Sequence, residues 1–150
     1  MGWGDGTSSF GGDQSGAERY NLGKKYAEEH YEEIIAGLAD GETIKFVGHS
    51  EGAAFAAGMA EYINLRFGAN DGKNHPAEAA LYLSPDEADE FSTPTTLKTY
   101  EAYFEDDRIS PAHNIKGIDY EVKLKGGGKY AHGRTVSFTP FGNFLKILHY

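Results

Sequence analysis

Ser50 stands between Gly48-His49 and Glu51-Gly52 in the stretch IKFVGHSEGAAFAAGMAEYI, residues 44 to 63. A serine hydroxyl is a weak nucleophile at neutral pH. To attack a carbonyl it needs an adjacent base, a group that orients the base, and N–H donors for the oxyanion. The G-x-S-x-G spacing addresses the geometric part of that need. Glycines two residues to either side remove Cβ atoms that would block a tight strand-to-helix reversal, so the hydroxyl projects from the bend. The N–H of Glu51 then faces the developing oxyanion from a helix N-terminus. A serine at such a position is also an ordinary helix N-cap, so context has to separate the two. Here an apolar β-type run lies directly before the serine and an alanine-rich helical run directly after it.

The elements around this bend follow from periodicity. Residues 2–16, with six glycines among small polar side chains, read as a loop that Trp3 and Phe10 pin down. From Ala17 to Ala39 the apolar positions Leu22, Tyr26, Tyr31, Ile34, Ile35 and Leu38 recur at helical spacing, and Asp40-Gly41 ends the pattern. Thr43 to Val47 is a short strand. The helix after Ser50 runs from about Glu51 to Phe67, with a small face of Ala53, Ala56, Ala57 and Ala60 that lets it lie close to a sheet. Strands are predicted at Ala79–Leu83 and Leu97–Phe104. A further strand is predicted over Ile118–Leu124, with Ile118, Tyr120, Val122 and Leu124 turned inward. A short strand at Thr135–Phe138 and a closing helix at Phe141–Leu148 complete the chain. This alternation predicts an α/β fold, a mainly parallel sheet flanked by helices in one domain over residues 1–150. In such sheets reactive groups collect at the carboxyl ends of strands, which is where Ser50 falls.

Composition narrows the function class. The 150 residues carry 14 Lys plus Arg against 23 Asp plus Glu, a net charge of −9, and a surface of that sign repels nucleic acid. With no cysteine there is no disulfide, thiolate metal site or cysteine nucleophile. No stretch approaches the roughly 20 apolar residues of a membrane span, and the first residues lack the pattern of a signal peptide. A soluble chain is expected, with the compartment and oligomeric state left open. KGGGKYA, residues 125–131, lacks the spacing of a phosphate-binding loop, and His30 does not begin H-E-x-x-H. NDGKNH is too poor in acids for a calcium loop. Neither metal nor cofactor is expected. Lys123, Lys125, Lys129 and Arg134 form a basic cluster near His132, read as a lysine-decorated strand edge.

With these residues in view, VGHSEGA resembles the nucleophile elbow of the α/β-hydrolase superfamily, nearest to its lipase-like members. The likeness extends plausibly through LYLSP, residues 81–85, and FEDDRISP, residues 104–111. It implies a chain order of nucleophile, acid, then histidine, met by Ser50, Asp107 and His132. The acid it implies is an aspartate at a strand's carboxyl end, followed by an aliphatic residue and soon by proline. Asp107-Arg108-Ile109-Ser110-Pro111 fits this better than Asp106 does, and Asp86 after LYLSP is a third option. Among six histidines, His132 occupies a glycine-flanked loop after the 118–124 strand, from which an imidazole can reach Ser50, and His113 is the alternative base. His49 belongs to the elbow and is expected to point away from the reaction.

The resemblance thus implies a serine hydrolase acting on a small-molecule or lipid carboxylic ester through an acyl-enzyme. The chain departs from the family's pattern in having only 49 residues before Ser50. The second oxyanion donor is therefore without a motif, and a backbone N–H in residues 2–9 is the expectation for it. The short N-terminal part leaves other readings: a minimal version of the fold, a carboxyl-terminal module such as an effector or toxin domain of a larger secreted protein, a hydrolase-like binding module without chemistry, or an acyltransferase using the same residues.

Overall fold

The computed structural model describes residues 14–68, 77–110 and 114–134. Helix α1 (Gly16–Glu29) starts at a reciprocal cap. The Ser15 hydroxyl accepts from the Glu18 N–H at 3.3 Å, and the Glu18 carboxylate accepts from the Ser15 N–H at 2.9 Å. The chain leaves helical geometry at His30 and resumes in α2 (Tyr31–Ala36), so the single helix predicted over 17–39 is two. After a turn with Gly41 at φ +82° come β1 (Ile44–His49), α3 (Gly52–Gly68), β2 (Ala77–Leu83), β3 (Lys98–Phe104), β4 (Tyr120–Leu124) and a short α4 (Ala131–Arg134). The predicted strand at 135–138 and helix at 141–148, with Trp3 and Phe10, lie outside the described residues.

The four strands form one sheet in the order β1-β2-β3-β4, every neighbouring pair parallel. Parallel neighbours need a crossover of a dozen or more residues, and among the described crossovers only β1 to β2 is made by an α-helix. Residues 84–97 make the β2 to β3 connection with a single 3-10 turn at Ala88–Glu90. The regular strand and helix alternation predicted from the sequence is therefore truncated, while the parallel α/β class stands.

Side-chain alternation gives the sheet two apolar faces. Phe46, Ala80 and Tyr82 meet the helices, together with Ala53, Ala57, Ala60 and Ile63 of α3. Leu81, Leu83 and Ala102 pack on the other side with Tyr100 and Val122. β4 is less buried than its alternation predicts: Tyr120 is 53% exposed and stacks on Tyr100 with ring centroids 5.0 Å apart.

α1 contributes differently from its periodicity. Its buried residues are Gly16, Arg19, Gly23 and Ala27, while Tyr26 is 39% exposed. The cause is the helix crossing. A Cβ on Gly23 would collide with the Phe55 carbonyl oxygen of α3, and a Cβ on Gly58 with the Tyr20 carbonyl oxygen of α1. The two backbones touch, and large apolar side chains at the crossing would hold them apart.

Candidate active site

Three of the four parallel strands deliver a chemical group at their carboxyl ends. Beyond β1, Ser50 sits at φ +54°, in the left-handed region that costs a residue with a Cβ roughly 1–2 kcal/mol. The bend is held at both sides. The Ser50 N–H donates to the Leu83 carbonyl at the end of β2, and the Ser50 carbonyl accepts from the Ala53 N–H, both at 3.0 Å. A Cβ on Gly48 would stand 2.6 Å from the Ala53 Cα and the Gly52 oxygen, so strand and helix approach each other only because residue 48 has none. Gly52 does not share that role, contrary to the reading of its spacing: a Cβ there would meet nothing within 4 Å. Glu51 stands between Ser50 and the start of α3, in the first turn where amide groups lack intrahelical acceptors.

Beyond β3 comes Asp107, with its side chain fully buried, and beyond β4 comes His132 in α4. The His132 Nε2 is 2.7 Å from the Ser50 Oγ, and its Nδ1 is 3.0 Å from Asp107 Oδ2. A third contact fixes where the ring proton lies. Ser110, completely buried, has its hydroxyl 3.0 Å from the Ser84 carbonyl and 3.2 Å from His132 Nδ1. A carbonyl can only accept, so the single Ser110 proton goes to Ser84, and toward His132 the Ser110 oxygen can only accept. Nδ1 therefore carries hydrogen, shared between Ser110 and Asp107, and Nε2 presents a lone pair to the Ser50 hydroxyl.

Asp107 is held as a carboxylate by its surroundings. Burial on its own would raise its pKa. The Ser84 hydroxyl, the Ile109 N–H, His132 and the Ser110 N–H all hydrogen-bond to it, and together they bring it below the usual aspartate value. A carboxyl with a folded-state pKa below its unfolded value contributes stability that is complete above the unfolded value and is lost as pH falls through the folded one. In urea titrations the stability difference between wild type and Asp107→Ala should shrink as pH falls below about 4. A difference that keeps growing below about pH 4 would contradict this assignment.

The other candidates go elsewhere. Asp106 accepts from the Gly128 N–H at 2.6 Å, and Asp86 from the Glu87 N–H at 3.2 Å. Neither carboxylate is among the described partners of His132. His113 and residues 2–9 lie outside the described residues. Of the basic cluster, Lys123 pairs with Glu121 at 3.1 Å and Lys129 lies over the Tyr130 ring. A cavity of about 370 Å³ opens beside the imidazole, lined among others by Arg108, Ile109, Lys129 and His132. Among the described residues no group of three or more His, Asp or Glu is placed to hold a metal ion. No described helix is long and apolar enough to cross a membrane.

Sequence reasoning missed three contributors. Ser84 and Ser110 hold the aspartate and the ring; both lie in stretches the likeness covers, LYLSP and FEDDRISP, but the sequence reading assigns neither serine a role there. Arg19 of α1 is buried, with its guanidinium 3.1 Å from the Glu51 carboxylate and 3.0 Å from that of Glu87, tying α1 to the residue after Ser50 and to the turn beyond β2. An arginine at a position facing α3 in an apolar helix pattern is the signal that could have found it.

No family model matches the sequence, and no curated relative matches it. Three solved chains match by structure. One is a thermostable esterase, 13% identical with a TM-score of 0.48, the match covering 81% of this chain and 36% of that one. This chain thus spans little more than a third of that esterase's length.

Proposed function

We propose that the chain is a serine hydrolase that cleaves a carboxylic ester through an acyl-enzyme. The observation that carries the reading is the 2.7 Å approach of the His132 Nε2 lone pair to the Ser50 hydroxyl, with the opposite nitrogen protonated against Asp107 and Ser110. In the first step the Ser50 oxygen bonds to the ester carbonyl carbon and its proton passes to Nε2. Asp107, kept ionised, stabilises the imidazolium, and the Glu51 N–H at the α3 terminus donates to the oxyanion. Collapse breaks the bond to the alcohol oxygen, which takes the proton from Nε2. Water then repeats the sequence on the acyl-Ser50 ester, the acid leaves, and the hydroxyl is restored.

The left-handed backbone at Ser50 supports this reading over a helix cap, because a cap residue ordinarily takes extended φ and ψ. Strain at a non-glycine residue is typical of functional positions. The test is a fluorophosphonate probe, which forms a covalent bond only with an activated serine. The folded chain should take one label, mapped to Ser50, and lose it on heat denaturation before labelling. It should also release acid from short-chain esters. A folded chain left unlabelled would overturn the proposal and favour a binding module of the same shape. Release of an acyl product other than free acid would move it to acyl transfer.

A further inference from the structure

His49 is the residue immediately before Ser50, and its ring does not point away from the site as its place in the elbow predicts. The ring centroid lies 4.8 Å from that of His132, and the His49 Nε2 lies 3.0 Å from the backbone carbonyl oxygen of His132. Because the carbonyl can only accept, His49 Nε2 carries the hydrogen.

We infer that His49 is a positioning residue, which donates from Nε2 to the His132 carbonyl and so locks the backbone of the base to the strand end that carries the nucleophile. The inference rests on the serine-hydrolase reading and adds a residue to it. Ser50 and His132 meet at the side-chain bond, 82 residues apart in sequence. The His49 bond adds a second tie between the same two stretches of chain, one residue from Ser50. A base held at its ring and at its backbone cannot pivot away from the hydroxyl, and misplacement of about 1 Å can cost 10²-fold in rate.

His49 is also suited to stand beside a ring that must accept a positive charge. Burial lowers its pKa, and the neighbouring His132 lowers it further. The hydrogen bond to the His132 carbonyl and the more distant Asp107 charge act the other way without reversing the shift. Among the described residues, His132 and Asp107 are the titratable groups that act on it. The lowered pKa favours a neutral donor, which adds no repulsion when His132 is protonated.

Two variants separate positioning from packing. His49→Leu fills similar volume without a donor, and His49→Gln restores an N–H donor at comparable reach. With a short-chain p-nitrophenyl ester, His49→Leu should lose about 10- to 100-fold in kcat with KM little changed, and its fluorophosphonate labelling should slow in parallel. His49→Gln should recover most of that loss. Nitrogen NMR of the wild-type imidazoles should give His49 as the Nε2–H tautomer. Equal losses in both variants, no loss in His49→Leu, or an Nδ1–H tautomer would each overturn the inference. An unlabelled wild-type chain is a different failure: it removes the hydrolase reading, and the positioning role with it.

Discussion

Replacing Ser50 with alanine should lower kcat/KM for a carboxylic ester by about 10⁶-fold, and His132→Ala should fall to about the same floor. One chain of proton transfers links the two losses. The hydroxyl is nucleophilic only while Nε2 takes its hydrogen, and the imidazole acts on the ester only through that hydroxyl. Either deletion therefore removes the same step. The double variant should be no slower than either single one, because groups that act as a unit are strongly non-additive. Additive losses would mean that the two side chains work separately, whatever their 2.7 Å separation.

The same position makes a second claim, on stability. At φ +54° serine and alanine are both disfavoured, whereas glycine is not. Ser50→Gly should be as inactive as Ser50→Ala and more stable than it by about 1 kcal/mol in urea unfolding. That outcome would identify backbone strain retained for chemistry. A cap serine would give the opposite order of effects, with loss of the hydroxyl itself costing about 1 kcal/mol and little change in any reaction rate.

What could be read from residue types alone divides along the range of the interactions. The strand, the bend and α3 are written in one stretch of about twenty residues, and local propensity with the bracketing glycines is enough to place them. Asp107 and His132 could be ordered along the chain but not joined, because joining depends on the parallel register that aligns the ends of β1, β3 and β4. The choice of Asp107 over Asp106 rests on a cradle built partly by Ser84, beyond β2 and more than twenty residues away in sequence. A hydroxyl contributes no periodicity to find. The error over α1 has a related cause. Apolar periodicity marks a helix that packs through large side chains, and α1 packs through its backbone, so its buried positions are two glycines, an arginine and the small Ala27, which such a pattern discounts.

That backbone contact carries the largest expected effect on stability. Gly58→Ala should cost about 3 kcal/mol or more, a large share of the total stability of a small domain, which is of the order of 5–15 kcal/mol. Helix propensity alone points the other way, since alanine in place of a mid-helix glycine gains up to about 1 kcal/mol. The packing term decides the sign. The added methyl falls inside the contact radius of the Tyr20 carbonyl oxygen and also reaches the Lys24 nitrogen at 3.0 Å, and neither is the tip of a flexible side chain that can swing aside. α1 would have to lift off α3, and with it would go the burial of Ala27 and the Arg19 bridge to Glu51. The loss should therefore appear in two readouts together, a lower urea midpoint and slower labelling of Ser50 in the fraction that stays folded. Gly37→Ala is the control: a Cβ at that position meets nothing within 4 Å, so its effect should stay within about 0.5 kcal/mol of zero. A Gly58→Ala chain as stable as wild type would mean that the two helices do not cross at this distance in solution.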